Sequence, residues 1–487
     1  MDRFDLLVIG GGINGAAIAR DAAGRGLSVL LVEKDDLAAH TSSASSKLAH
    51  GGLRYLERYE FRLVRESLAE RETLLRNAPH IVRPLRFILP VAEGMRPRWV
   101  LRLGLLLYDL LALRGSLPRS GGVSRNDPAR APLKDGASRP LLSYWDAWAD
   151  DARLVALNAL DAAERSAEIA ARTEFLAAVR EGGVWRASLS GGREVTTPLI
   201  VNAAGPWVAE VLGRRIGEES EARARLVRGS HIVVPALWEG DHAYLLQQPD
   251  GRVVFALPFE GATMIGTTDV PASGPGDAEA SAEEVGYLCA AANLYFERRT
   301  SPGDIVWSFA GVRALWDDGA ADPEDVTRDY RLELEDGLLS VFGGKLTTAR
   351  ALASEALDRL GISGLKFTRT SPLPGGDVMP PFLAWLDEVA AWMEPALLAR
   401  LSRAYGTRMR DIVGGAARMQ DLGRHLGAGL HEAELRYLRD TEFARTAGDV
   451  LWRRTKLGLQ FTDAEQRELE RWFARSRHPG EGRDLSG

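Results

Sequence analysis

FDLLVIGGGINGAAIARDAAGRGLSVLLVEK, residues 4–34, is the stretch on which the fold turns. FDLLVIGG is an apolar run too short for a helix and bounded by glycines, which reads as a buried strand. NGAAIARDAAGRG follows as a helix and LSVLLVEK as a second strand, completing a β-α-β unit. Gly10, Gly12 and Gly15 form G-x-G-x-x-G at the strand-to-helix turn, with Ile13 and Asn14 inside it. Gly10 permits the tight turn, Gly12 lets a pyrophosphate approach the backbone, and Gly15 lets helix pack on strand. The helix N-terminus offers free N–H groups and partial positive charge to phosphates. Glu33, at the end of the second strand, can accept from a ribose 2′-OH, and its charge disfavours a 2′-phosphate. Strand, helix and acid fall in register, so the stretch implies a bound ADP moiety.

The rest of the chain bounds what such a fold can do. At 487 residues it can bury large cores and form several domains. A net charge of -6 argues against nucleic acid as the main partner, because phosphate backbones want a basic surface. With Cys289 the single cysteine, an intramolecular disulfide or a cysteine-ligated zinc or iron–sulfur centre cannot form within one chain. The histidines are scattered, with no H-x-x-x-H and no carboxylate cluster at ligand spacing, so no metal site is expected. MDRFDLLVIGGG does not read as a signal peptide, since its apolar run is short and turns at once into glycines. WVLRLGLLLYDLLAL (99–113) is the nearest approach to a membrane segment, yet it is too short to span and carries Arg102 and Asp109. It reads either as a buried helix or as a helix lying in a membrane interface.

Further along, EFRLVRESLAERETLLRNA (60–78) is an amphipathic helix, and residues 116–140, rich in Gly, Pro, Ser and Arg, read as a long exposed loop. From Arg228 onward, short alternating apolar runs and a Pro-Asp-Gly-Arg turn indicate antiparallel sheet. LIVNAAGPWV (199–208) and LLSVFGGKLTT (338–348) are later strands that run into glycines. After a Pro/Gly linker at 371–381 the pattern is helical and densely charged. The glycine motif alone does not separate NAD from FAD. Its start within ten residues of Met1, plus those two returning glycine strands, favours FAD.

At this point several segments together resemble one family. GGGINGAAIARDAAGRGLSVLLVE, TSSASSKLAHGGLRYLE, GSHIVV, GTTD, FGGKLTT and WRRTKLGL are similar to the FAD-dependent, aerobic and quinone-linked sn-glycerol-3-phosphate dehydrogenases. The resemblance extends over nearly the whole chain. It implies an α/β (α+β overall) protein: a Rossmann-like FAD-binding domain, an inserted antiparallel-sheet substrate domain like that of D-amino-acid oxidase, and a C-terminal helical cap. The expected division is FAD-binding residues 1–80, 150–228 and 305–370, and substrate-binding residues 81–149 and 229–304 with a membrane-contacting helix at 96–114. A helical domain at 371–480 and a disordered tail at 481–487 complete it. One departure is visible: Ala314 follows Gly311-Val312-Arg313 where close relatives commonly carry proline.

The resemblance implies hydride transfer from C2 of glycerol 3-phosphate to flavin N5, giving dihydroxyacetone phosphate. A phosphate dianion must then be held, for which the planar fork of arginine is well suited. Arg54 and Tyr55, directly after Gly51-Gly52, are the first candidates, with Arg313 and Lys345 beside later glycines. Lys345 could instead serve the flavin N1–C2 region. His231 is the expected base, on a strand expected to face the flavin, with His50 a rival; Thr268 is expected to contact substrate. Along the cofactor the expected residues are Thr41, Ser42, Ser43, Ser45, Ser46, Lys47, His50 and Gly51, then Ala204 and Gly205, then Gly343, Gly344, Lys345, Leu346 and Thr347.

Electrons are expected to pass to a membrane quinone, with the protein peripheral or monotopic on an anionic lipid surface at the cytoplasmic face of the inner membrane. A homodimer is a further expectation. The competing readings are an oxidase returning electrons to dioxygen, an amino-acid oxidase or deaminating flavoenzyme, and a non-catalytic membrane-associated flavoprotein.

Overall fold

The computed structural model describes residues 2–91, 96–112, 115–135, 140–217, 224–316 and 329–476, with the side chains of Arg54, Glu57 and Arg58 outside that set. The chain divides into two units, residues 1–373 and 374–487.

In the first unit, Leu6–Ile9 and Val29–Glu33 are continuously buried strands, as a sheet covered on both faces requires. They lie at the centre of a six-stranded sheet, flanked on one side by Glu168–Ala171 and on the other by Leu199–Asn202, Leu338–Phe342 and Arg331–Glu335. All its pairings are parallel except the hairpin formed by the last two strands. Helix Ile13–Gly24 crosses between the first two strands and packs against helices Asp151–Glu164 and Ala349–Arg359. A smaller four-stranded sheet, Asp2–Arg3, Glu194–Thr197, Val184–Leu189 and Phe175–Glu181, lies alongside in sequence.

A ten-stranded sheet completes the unit, with Ala224–Pro235, Ala262–Gly266, Val253–Phe259, His242–Gln247, Val82–Pro90 and Leu141–Ala149 consecutive across it. Trp307–Trp316 pairs antiparallel with Ala224–Pro235 along ten residue pairs, Ala224↔Trp316 through Val233↔Trp307. Among its described residues the 116–140 stretch is mainly irregular and exposed, as expected, but it is pinned to the core at three points. Val123, Ala129 and Leu133 are buried in a core cluster with Ile232, Tyr244 and Phe296, and Gly121–Gly122 pairs with Leu141–Ala149. Its apolar residues are too widely spaced to give a periodic signal, so only packing discloses them.

The second unit has helices Pro380–Ala390, Pro395–Tyr405, Glu432–Asp440 and Asp463–Ser476, whose inward residues include Leu401, Tyr405, Leu435, Leu438, Val450 and Leu469. Glu434, 1% exposed, is held there by Arg400 Nη1 at 2.7 Å and by the Tyr405 hydroxyl at 2.6 Å. A short hairpin, His425–Gly427 with Leu430–His431, interrupts the helical pattern. The tail at 481–487 lies outside the described residues.

Candidate active site

The glycine turn is as tight as its sequence implies. Gly10 has φ +107°, and a Cβ there would stand 2.6 Å from the Ala203 carbonyl oxygen; one on Gly15 would stand 1.9 Å from the Gly10 carbonyl oxygen. Gly12 is different, because its Cβ would meet only Ser42 Oγ, at 3.1 Å. Here the freedom is toward a cavity rather than toward backbone. Gly12 is also the N-cap of helix Ile13–Gly24 and supplies no side chain to the helix end, so Ser42 Oγ accepts from Ile13 N at 3.0 Å. Glu33, buried, accepts from Gly11 N at 2.7 Å and Asp35 N at 2.9 Å; desolvation nevertheless raises its pKa.

These residues open onto a cavity of about 790 Å³. At one end it is lined by Gly10, Gly12, Ile13, Asn14, Glu33, Ala204 and Gly205, with Lys34 Nζ 3.9 Å over the Trp207 ring. Thr41, Ser42, Ser45 and Ser46 continue the wall, and Gly343, Gly344, Lys345, Leu346 and Thr347 face it. Asn14 Nδ2 donates to Gly343 O at 3.1 Å, tying the first glycine turn to the last.

Several expected cofactor residues stand behind the wall rather than on it. Lys47, at φ +56°, turns inward and donates to Asp151 Oδ1 at 2.8 Å and to Ser43 O at 3.0 Å; both side chains of the ion pair are 0% exposed. Ser45 Oγ donates to the same carboxylate at 2.7 Å. Lys47 and Ser43 therefore brace the loop that presents Ser42, Ser45 and Ser46. Gly15 acts through packing. Gly51 is likewise off the wall: its N–H donates to Tyr108 Oη at 2.8 Å, and that hydroxyl donates to Asp146 at 2.8 Å, with Arg71 Nη1 on the same carboxylate. Gly52, at φ +75°, is the member of the pair that lines the cavity.

Tyr55, Arg313 and Lys345 also line the cavity. Arg313 donates to Asp269 Oδ1 at 2.6 Å and to Thr267 Oγ1 at 3.2 Å. Lys345 Nζ is buried 4.0 Å over the Tyr55 ring and has no hydrogen-bond partner among the described residues. The Arg54 side chain lies outside the described residues. Thr268 does not line the cavity. It sits in the irregular stretch between strands Ala262–Gly266 and Val270–Pro271, where its hydroxyl donates to Glu284 Oε1 at 2.6 Å and accepts from Ser230 N at 2.9 Å, while its neighbours Thr267 and Asp269 line the cavity.

The two histidines differ in the same way. His50 lines the cavity, with its ring edge-on to Phe255, and burial pushes its pKa below the ordinary value, Lys345 and Arg71 adding to the effect. His231 does not line it. It is 0% exposed, stacked on Phe309, and its Nε2 lies 2.9 Å from Ser46 Oγ, the group that does reach the wall. Burial, then the charges of Arg313 and Lys47, lower its pKa to about 3. It stays neutral at working pH and is a weak base.

A third wall comes from the expected substrate-binding part, through residues that no motif singles out. The large sheet contributes Leu89, Tyr144, Leu245, Gln247, Val253 and Phe255, and helix Arg98–Leu111 contributes Val100, Leu101, Leu103, Gly104 and Leu107. Period-two alternation in HAYLLQ could have paired Leu245 with Gln247, but not shown which face the cavity took.

Comparison with known families follows from this geometry. The family described as FAD dependent oxidoreductase matches residues 5–358, and the C-terminal domain of alpha-glycerophosphate oxidase matches residues 366–474. The chain belongs to the FAD-dependent oxidoreductase family. A D-erythritol 1-phosphate dehydrogenase of Brucella abortus is 49% identical, over 96% of this chain and 97% of that protein. A glycerol-3-phosphate dehydrogenase of Pseudomonas aeruginosa is 48% identical over 98% and 96%. The aerobic glycerol-3-phosphate dehydrogenase of Escherichia coli is 44% identical over 97% and 98%. Among solved structures, the glycerol-3-phosphate dehydrogenase of Bacillus halodurans complexed with FAD superposes with a TM-score of 0.73 at 26% identity, covering 97% of this chain and 90% of that one. FAD is the cofactor of this family, and the residues here fit it: a glycine turn open only at Gly12, a helix N-terminus without a side-chain cap, and a buried acid beside it.

Proposed function

We propose that this flavoenzyme oxidises the C2 hydroxyl of sn-glycerol 3-phosphate, giving dihydroxyacetone phosphate, and passes the electrons to a membrane quinone. The observation that carries the reading is Lys345, a buried ammonium in the cavity with no hydrogen-bond partner among the described residues. Such a group calls for an anion, since a buried charge without a counter-charge is costly. Arg313 has Asp269 as a counter-ion, so Lys345 supplies the larger uncompensated charge for a phosphate dianion. Tyr55, under Lys345, offers a hydroxyl to the same group. Bound FAD supplies the acceptor for the hydride leaving C2.

The hydroxyl proton goes to His50, the imidazole that lines the cavity wall. His231 acts at one remove, orienting Ser46. Holoenzyme mixed anaerobically with glycerol 3-phosphate should lose its flavin absorbance. His50→Asn should slow that bleaching by about 10²- to 10⁴-fold, and His231→Asn by less. Flavin left unbleached in the wild type would sink the reading, and a larger defect in His231→Asn would reverse the two roles. Peroxide yield against quinone reduction separates a dehydrogenase from an oxidase. The 49% relative supports a second reading, a four-carbon polyol phosphate as substrate, and D-erythritol 1-phosphate belongs in the same titration.

Helix Arg98–Leu111 supports the membrane part. It buries Leu105 and Tyr108 but leaves Trp99 70%, Leu103 60%, Leu106 54% and Leu110 51% exposed. No helix among the described residues is long and apolar enough to cross a membrane. An exposed apolar face preceded by Arg96 and Arg98 suits a helix lying in an anionic interface. Because Leu103 also lines the cavity, a lipophilic acceptor entering from that face would reach the flavin site. Replacing Leu103 and Leu106 together by Glu should weaken sedimentation with anionic vesicles by about 10-fold or more. Unchanged sedimentation would remove the helix from the interface.

A further inference from the structure

We propose that Gln247 is a specificity-determining residue that reads the hydroxyl groups of the substrate remote from its phosphate. The inference rests on the polyol-phosphate reading above and adds to it the part of the ligand that the cations do not explain.

Gln247 is 2% exposed and lies on the cavity wall, yet neither its Nε2 nor its Oε1 has a hydrogen-bond partner among the described residues. Buried amides are ordinarily paired, and leaving one unpaired costs free energy. The adjacent glutamine shows the ordinary outcome: Gln248 Nε2 donates to Leu246 O at 3.3 Å. Gln247 cannot relax in the same way. Its strand pairs it with Val253, its carbonyl accepts from the Tyr295 hydroxyl at 2.5 Å, and its neighbours on the wall, Leu245, Val253 and Phe255, offer no polar group. The main chain is pinned and the amide is held against apolar surface.

The chemistry of the missing partner follows from the amide itself. Nε2 only donates and Oε1 only accepts, side by side. A phosphate dianion or a ketone can engage Nε2 but leaves Oε1 unpaired. A hydroxyl both donates and accepts, and two neighbouring hydroxyls can satisfy both amide atoms at once. Among the described residues the cavity's unpaired buried polar groups are Asn14 Oδ1 beside the glycine turn, the ammonium of Lys345 and the amide of Gln247. A phosphorylated polyol presents the two kinds of group that match the last two.

The test uses full-length, FAD-loaded protein and an artificial electron acceptor. Substrates are glycerol 3-phosphate, D-erythritol 1-phosphate, and the matching enantiomer of propane-1,2-diol 1-phosphate, which keeps the oxidised hydroxyl and lacks the terminal one. The wild type should prefer glycerol 3-phosphate over the deoxy analogue by about 10- to 100-fold in kcat/KM. In Gln247→Leu that preference should collapse to within about 3-fold, with the D-erythritol 1-phosphate rate falling at least as far as the glycerol 3-phosphate rate. A preference unchanged in the variant, or an equal loss on substrate and analogue, would overturn the assignment. Flavin content per chain is measured alongside. Gln247→Met, closer in length, replaces the leucine variant if that one does not hold FAD. A wild type that oxidises none of the three compounds fails earlier and refutes the polyol-phosphate reading itself.

Discussion

Gly15→Ala should abolish FAD retention and lower the thermal stability of the protein even without cofactor. The added Cβ would stand 1.9 Å from the Gly10 carbonyl oxygen, a distance that real Cβ atoms essentially never show. Gly10 cannot readily yield, because its N–H donates to Val32 O at 2.8 Å and the space where its own Cβ would stand is closed by the Ala203–Ala204 backbone. Helix Ile13–Gly24 would have to lift from the sheet, losing packing at Ala16, Ala19 and Ala23 and withdrawing its N-terminus from the phosphates. Overpacking of this kind costs about 1–3 kcal/mol, and more where backbone is the obstacle. Gly12→Ala is the informative companion. Its Cβ meets only Ser42 Oγ, so the apoprotein should melt as the wild type does while FAD content still falls. Flavin absorbance per chain and cofactor-free melting curves separate the two cases. A Gly15→Ala protein that kept stoichiometric FAD and the wild-type Tm would disprove this account of the turn.

Lys345→Met should lower kcat/KM for the phosphorylated substrate by about 10²- to 10³-fold, or roughly 3–4 kcal/mol. Methionine keeps the side chain as far as Cε but removes the charged group that sits over the Tyr55 ring. Arg313 cannot replace it, since one arm of its guanidinium is committed to Asp269. If Lys345 binds phosphate, the loss appears chiefly in KM, and inorganic phosphate or sulfate inhibits the variant more weakly. If it stabilises reduced flavin, the loss falls on kcat and the flavin potential shifts down. A variant within a few-fold of wild type on both constants would exclude Lys345 from the site.

The two halves of the site differ in how plainly the sequence announces them. Gly10, Gly12, Gly15 and Glu33 were legible because local geometry alone demands them: a turn, a close approach and a strand end within thirty residues. Gly343, Gly344 and Lys345 were legible as a second strand running into glycines. His231 was harder to place, because which face of strand Ala224–Pro235 meets the cavity depends on pairings across the sheet that no local pattern encodes, and Thr268 lies in an irregular stretch whose course only packing sets. The serine-rich loop shows another limit. Its composition suggests many contacts with cofactor, but Lys47 turns inward to Asp151, over a hundred residues away, and only some of the hydroxyls remain on the wall. Gln247 gave no signal at all, since a glutamine ending a strand is unremarkable until its amide is found without a partner.

The order in which the walls arrive has a consequence for biosynthesis. Leu199–Asn202 sits between Leu6–Ile9 and Leu338–Phe342, and Asn14 bonds a carbonyl 329 residues further on. A nascent chain therefore leaves the ribosome with its dinucleotide turn formed early and its closing wall absent until the segment through Thr347 has emerged. Such distant pairings make assembly slow and leave unpaired strand edges exposed in the interval. FAD can be captured in its complete site only after translation of the first unit is nearly finished, so chains stalled before Gly343 should remain cofactor-poor clients of chaperones and proteases.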